Sequence, residues 1–259
     1  ELEQLRQSVC TVDVKGDRQT SAGKVNTLLQ AHLSRAKIES FSLISDAHYV
    51  EQNASRLLRG LFEIVSKKRW ARLSARLLDW CLMIDHRLWD FQTPLRQMNG
   101  ALNNEILYKI EQKKLSLDDL VDMPAGEIGS LCGRPLAGKQ VKKALRLFPH
   151  IDLVASVQPI TRTVLRVSIE VTPQFQWADR YHGGLLAWHV WVTDADSELI
   201  LHTERFVLTK ATMKDEHTLS FSIPVREPLP TQYMLHAMCD RFLGAETYAE
   251  ISFHDIVLP

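Results

Sequence analysis

The stretch GRPLAGKQV, residues 133–141, separates two architectures. It reads G-x-x-x-x-G-K, the opening of a phosphate-binding loop. Such a loop needs a buried strand ahead of it, a Lys that reaches the outer phosphates, and a Ser or Thr after the Lys to ligate magnesium. The residues ahead, EIGSLC at 127–132, are too short and too broken by Gly129 to make that strand. Position 140 is Gln, a poor magnesium ligand, and no second acidic motif follows a later strand. The nucleotide-binding reading is set aside. A helix–hairpin–helix turn remains, which presents backbone N–H groups at a helix start to a nucleic-acid phosphate. Residues 128–150 carry Arg134, Lys139, Lys142, Lys143 and Arg146 and no acid. Phosphate contact and a solvated or protein-facing helix both fit that pattern. Ala137-Gly138 stands where Gly-x-Gly is common in such turns.

Upstream of this turn the chain has a helical period. Over residues 46–69, with Ser45 or Asp46 as cap, the apolar residues Val50, Ala54, Leu57, Leu61, Ile64 and Val65 share one side. Gln52, Arg56, Arg59, Glu63 and Lys67 mark the other, with Arg59 and Glu63 spaced to pair. A second helix is expected from Leu73 to Trp89, apolar at Leu73, Leu77, Cys81, Ile84 and Leu88, and ending before Thr93-Pro94. Val25 to Leu33 marks an earlier helix and Asn103 to Glu111 a later one. Together they predict a helical bundle over 1–111. Residues 112–151 read as a small helical unit cut by Pro and Gly, with a capping-box-like Ser116-x-x-Asp119.

From Asp152 the period becomes 2. Leu165, Val167, Ile169 and Val171 alternate with polar residues, as do Leu219, Phe221, Ile223 and Val225. About seven such segments, separated by turns such as Asp194-Ala195-Asp196 and Pro228-Leu229-Pro230, predict an immunoglobulin-like β-sandwich over 152–259. The fold class is therefore multidomain α+β. The Cys…Trp…Cys core of antibody domains is missing.

Composition narrows the function. The 259 residues are 45% hydrophobic and 24% charged, ordinary for a globular chain, and net charge is zero. Residues 1–150 hold 23 Lys/Arg against 17 Asp/Glu; residues 151–259 hold 8 against 14. A polyanion would meet the first half. No apolar run approaches the roughly 18 residues of a membrane span, so no membrane partner is expected. The chain opens on Glu1 rather than Met, which reads as a piece of a longer protein. Cys10, Cys81, Cys132 and Cys239 are far apart, consistent with reduced thiols in a reducing compartment. Asn53-Ala54-Ser55 matches a glycosylation sequon but sits inside the helical pattern. The six Trp read most simply as core. The ten His form no metal-ligand cluster, and no Ser/His/Asp or Cys/His arrangement stands out; catalytic, metal and cofactor residues are expected to be absent. Asp118/Asp119 and Asp194/Asp196 read as helix-start and turn residues.

Several stretches now point to a family: SDAHYVEQNASRLLRGLFEI (45–64), MIDHRLW (83–89), PLRQM (94–98), QPITRTVLRV (158–167), FQW (175–177), EPLPTQY (227–233) and DRFLGAE (240–246), with IVLP closing the chain. Over residues 24–259 they resemble the SEC-sixty-three homology module of large superfamily-two helicases. The resemblance implies a helical bundle, a helix–hairpin–helix unit and an immunoglobulin- or fibronectin-like domain, in that order. It implies a non-catalytic accessory role, with ATP and magnesium bound by domains outside this segment. The helix matching residues 46–69 is the family's ratchet helix, lying across the translocating strand. On that match Asn53 and Arg56 touch nucleic acid; Gln52 and Arg59 on the same helix, and Lys139, Lys142 and Lys143 of the hairpin, complete the candidate set. Tyr49 is placed to stack on a base or to cap and pack. Implied partners are single-stranded nucleic acid, the helicase core domains of the same chain and other subunits of a cointegrator-like complex, in nucleus and cytosol. Repair, transcription coactivation and ribosome quality control are the implied settings. A protein-interaction scaffold is the alternative. The chain departs from the family pattern with Asn53 and Ser55 where Ser and Gly are common, His86 for Lys and Phe242 for Trp.

Overall fold

The alternation at 164–173 and 217–224 produces two strands that pair with each other. In the computed structural model, which describes residues 1–14, 20–196, 198–225 and 230–253, Val167 lies opposite Phe221 and Leu165 opposite Ile223. Pro228 and Leu229 of the expected turn, and the closing residues 256–259, lie outside the described residues. The strands are β1 (Ile151–Thr161), β2 (Val164–Pro173), β3 (Leu185–Thr193), β4 (Ile200–Thr209), β5 (His217–Pro224), β6 (Gln232–Cys239) and β7 (Glu246–Ser252). They form two antiparallel sheets, ordered β1-β2-β5 and β4-β3-β6-β7. Inward side chains of both, including Leu165, Val167, Trp188, Val190 and Leu235, share one buried core.

The helices follow local signals. α1 spans Leu2–Val9 and α2 Ser21–Leu33, the latter capped by Thr20, whose hydroxyl accepts from the Gly23 N–H at 3.2 Å. α3 runs Phe41–Lys67, starting five residues before the expected 46. Asp46 does not cap it; its carboxylate takes the Lys24 ammonium of α2 at 2.6 Å. α4 (Ala71–His86) ends at Arg87 in the left-handed region, before Thr93-Pro94. α5 (Asn104–Gln112) is capped by Asn103, and α6 (Leu117–Asp122) carries the full capping box of Ser116 and Asp119. α7 (Ala125–Cys132) stops at Gly133, φ +66°, and α8 (Ala137–Leu147) follows the turn. A short α9 (Asp179–His182) precedes β3.

Strand β3 shows how the layers meet. Eight of its nine residues are at least half-buried, because both faces are covered. Trp188, Val190 and Val192 point into the core between the sheets. Trp191 points outward, into a second core with Leu78, Leu82 and Phe62 from α4 and α3. The α3–α4 junction is stitched to the β3–β4 turn: Ile200 N–H donates to the Arg69 carbonyl at 2.8 Å and Ala71 N–H to Glu198 at 2.9 Å. On the other side, α5 to α8 share their core with the sheets.

Buried polar contacts fix the joints. Gln97 donates to the Leu243 carbonyl and accepts from its N–H, both at 2.8 Å. His182, fully buried, accepts at Nδ1 from the Ala178 N–H (2.9 Å), so Nε2 carries the proton donated to the Leu147 carbonyl (2.8 Å). Arg96 and Glu111 form a largely buried ion pair. Trp89, Trp188 and Trp191 are core as expected; Trp70 and Trp80 are not, each being more than 40% exposed.

Candidate nucleic-acid interface

The expected apolar stripe of α3 is only partly the buried face. Val65 is buried and Val50 and Ala54 are half-buried, but Leu57, Leu61 and Ile64 are 62%, 48% and 53% exposed, while Phe62, outside the stripe, is buried. With 3.6 residues per turn, the buried face is rotated by about a quarter turn from the expected one. The cause is tertiary. Leu58, Phe62 and Val65 fit against α4. Phe62 also reaches β3, its ring centroid 5.2 Å from that of His189.

This rotation sorts the candidate strand contacts. Arg59 falls toward α4, where its guanidinium meets Asp85 at 3.0 Å, while Ser55 donates to the other oxygen of that carboxylate at 2.8 Å. The pair with Glu63 suggested by spacing is replaced by this interhelical one. Gln52 and Arg56 are exposed and Asn53 is half-buried. They are organised along the helix: Arg56 donates to Asn53 Oδ1 at 2.8 Å, Asn53 donates to the Tyr49 carbonyl at 2.8 Å, and Gln52 meets His48 at 2.9 Å. Tyr49 is 71% exposed. One side of α3 thus presents Tyr49, Gln52, Asn53 and Arg56 together, beside the apolar row of Leu57, Leu61 and Ile64.

The hairpin residues divide similarly. The two helices cross so closely that Gly138 is required: a Cβ there would lie 1.7 Å from the Ala125 carbonyl oxygen. Lys142 turns back and donates to the carbonyls of Leu120 (2.9 Å) and Val121 (2.5 Å), holding the end of α6. A cation suits a helix C-terminus, where unpaired carbonyls concentrate negative charge. Arg134 pairs with Glu105. Lys139, Lys143 and Arg146 remain exposed on α8. No side chain caps its start at Leu136.

The sequence reading did not find Asp85. Its only signal was the pairing of Ser55 and Arg59 at helical spacing, both able to donate to one acceptor. Among the described residues, no group of three or more His, Cys, Asp or Glu could hold a metal ion, and no helix is long and apolar enough to cross a membrane.

Two antiparallel sheets packed against helices, with a polar row along α3, describe a mixed α/β module. The chain belongs to the Sec63 Brl domain family, whose model matches residues 1–252; this is the family its motifs resemble. It is 44% identical over its full length to an Arabidopsis thaliana DExH-box ATP-dependent RNA helicase, DExH14. It is 43% identical to the Bos taurus activating signal cointegrator 1 complex subunit 3, and 42% to the Homo sapiens U5 small nuclear ribonucleoprotein 200 kDa helicase. The chain spans 12% of the length of each of these relatives. A solved glycosyl hydrolase family 2 member from Bacteroides cellulosilyticus overlaps 42% of this chain and 16% of its own, at TM-score 0.32 and 11% identity. A likeness that low carries no argument.

Proposed function

We propose that this chain is a non-catalytic accessory module of an ATP-dependent nucleic-acid helicase, and that α3 guides the translocating strand. The observation that carries this reading is the polar row of exposed Tyr49, Gln52 and Arg56 with half-buried Asn53, in which Asn53 is hydrogen-bonded to Tyr49 and Arg56, on a helix anchored through Arg59 and Asp85. A guanidinium and two amides suit phosphate and base edges, and an exposed Tyr ring suits stacking. Lys139 and Lys143 supply phosphate contact at the hairpin, with α7 and α8 acting as a helix–hairpin–helix unit. Arg59 and Lys142 act through the helices they hold. The sheet order β1-β2-β5 with β4-β3-β6-β7 supports an immunoglobulin- or fibronectin-like domain as the buttress.

ATP and magnesium belong to other domains of the intact protein. The implied setting is nuclear and cytosolic nucleic-acid unwinding, in repair, coactivation or ribosome quality control. A scaffolding role is favoured by one separate observation: Leu57, Leu61 and Ile64 form an exposed apolar row, and such rows mark protein contacts. In this reading the apolar side of α3 faces the helicase core of the same chain and the polar side faces the strand, with cointegrator-like subunits docking elsewhere.

The test is Arg56→Ala in the full-length helicase. Unwinding should fall while melting of the protein stays within about 0.5 kcal/mol of wild type, as for a surface change. Unchanged unwinding at several salt concentrations would make α3 a scaffold and replace the first role with the second.

A further inference from the structure

A cleft of about 1100 Å³ opens between the α5–α6 segment and the start of β7. It exceeds the roughly 300–1,000 Å³ typical of small-molecule sites. Its charge is one-sided. Among the described residues lining it are the carboxylates of Asp90, Glu111, Asp118, Asp152 and Glu246, against one ammonium, Lys114. Arg96 neutralises Glu111, and Arg76 stands 3.9 Å from Asp90. His150 lies 3.1 Å from Asp152, and Glu246 accepts from His236 and Tyr248. The balance stays negative.

Three large apolar side chains share the lining: Phe91, Val121 and Tyr248, each about 60% exposed. Thr93 also lines the cleft. It is 5% exposed, and its Oγ1 is a buried side-chain oxygen with no hydrogen-bond partner. The local field is visible in nearby Asp79: burial, then repulsion from Glu246, pushes its carboxyl up to about 6.

We propose that this cleft docks a basic, aromatic- or leucine-bearing peptide segment of a partner protein. Ammonium groups would answer Asp118, Asp152 and Glu246. Apolar side chains would cover Phe91, Val121 and Tyr248. Nucleic acid is disfavoured here, because phosphates would face carboxylates. The proposal is independent of the role given to α3.

The test uses a fluorescently labelled peptide alternating Lys with Leu and Phe, and a matched peptide with Glu for Lys, each titrated against the whole chain at low and physiological salt. The Lys peptide should bind and the Glu peptide should not. The exposed-site double variant D118K/D152K should weaken binding by about tenfold or more, while R56E on α3 should leave it unchanged. A photoreactive Phe in the peptide should crosslink to Phe91, Val121 or Tyr248. No binding, equal binding of the two peptides, or unchanged binding by the folded double variant overturns the proposal. So does displacement of the peptide by a single-stranded oligonucleotide that crosslinks to the same residues.

Discussion

The same substitution, Gly to Ala, should have opposite signs in two helices of this protein. At Gly138, in the stretch that resembled a phosphate loop, an added Cβ would lie 1.7 Å from the Ala125 carbonyl oxygen, 2.5 Å from its carbon and 2.9 Å from its Cα. Non-bonded heavy atoms settle at about 3.5–4.0 Å, so α7 and α8 would have to separate by roughly 2 Å. Every clashing atom is backbone, which no rotamer change relieves. Overpacking of this kind costs about 1–3 kcal/mol, occasionally more; the better helix propensity of Ala returns at most about 1 kcal/mol. A net loss of about 2 kcal/mol is expected. At Gly60, inside exposed α3, nothing lies within 4 Å of the added Cβ. There Gly60→Ala should gain about 0.5–1 kcal/mol, because Ala loses less backbone entropy in a helix. At about 2–4 °C per kcal/mol for a chain near this size, the two variants should melt roughly 5–12 °C apart. The assay is thermal and urea unfolding followed by circular dichroism and Trp fluorescence. If Gly138→Ala melts at or above wild type, the close crossing of α7 and α8 is wrong.

Three further outcomes are expected. Phe62→Ala should cost about 3–5 kcal/mol as a buried aromatic deletion, and Leu57→Ala no more than about 0.5 kcal/mol as a surface change; the reverse ranking in urea melts would restore the face of α3 read from spacing. Lys142→Met should lose about 1 kcal/mol by freeing the α6 carbonyls, with Lys143→Met near wild type; equal effects in the same melts would count against that anchoring. Stability should fall as pH drops below about 6.5, the ordinary imidazole value. Burial, as the leading cause, lowers the pKa of His86, His182 and His189, so the unfolded chain takes up protons first and acid favours it. Asp79, raised to about 6, works in the opposite sense, gaining stability on acidification. Asp79→Asn should therefore steepen the acid loss. A flat melting profile from pH 7.5 to about 5 in that variant would refute the assignment of neutral buried imidazoles.

Much of the architecture was legible in the chain because it rests on local rules. The switch from a helical period to alternation at Asp152 marks where the sheets begin, since side-chain direction repeats every 3.6 residues in a helix and every two in a strand. The cap at Asn103 and the capping box of Ser116 and Asp119 needed only neighbours in sequence; α4 stops at His86, three residues before the expected Trp89, through left-handed Arg87. The family motifs, and with them the choice of α3 as the strand-guiding candidate, were also legible.

Tertiary structure alone decided which side of α3 is buried. That helix is apolar on two sides: Leu57, Leu61 and Ile64 on one, Leu58 and Phe62 on the next, with Val65 at the seam between them. Helical spacing ranks neither above the other. The shape of α4 and the His189–Trp191 surface of β3 accept the second. From that one rotation follow the exposure of Arg56 and the capture of Arg59 by Asp85, 26 residues away. The same holds for Lys142, whose partners lie 22 and 21 residues back, and for Gln97, which meets Leu243 across 146 residues. Periodicity reports which residues share a face of one element. It carries no information about which distant element that face will meet, and the sorting of this surface into anchors and free groups depends on those distant contacts.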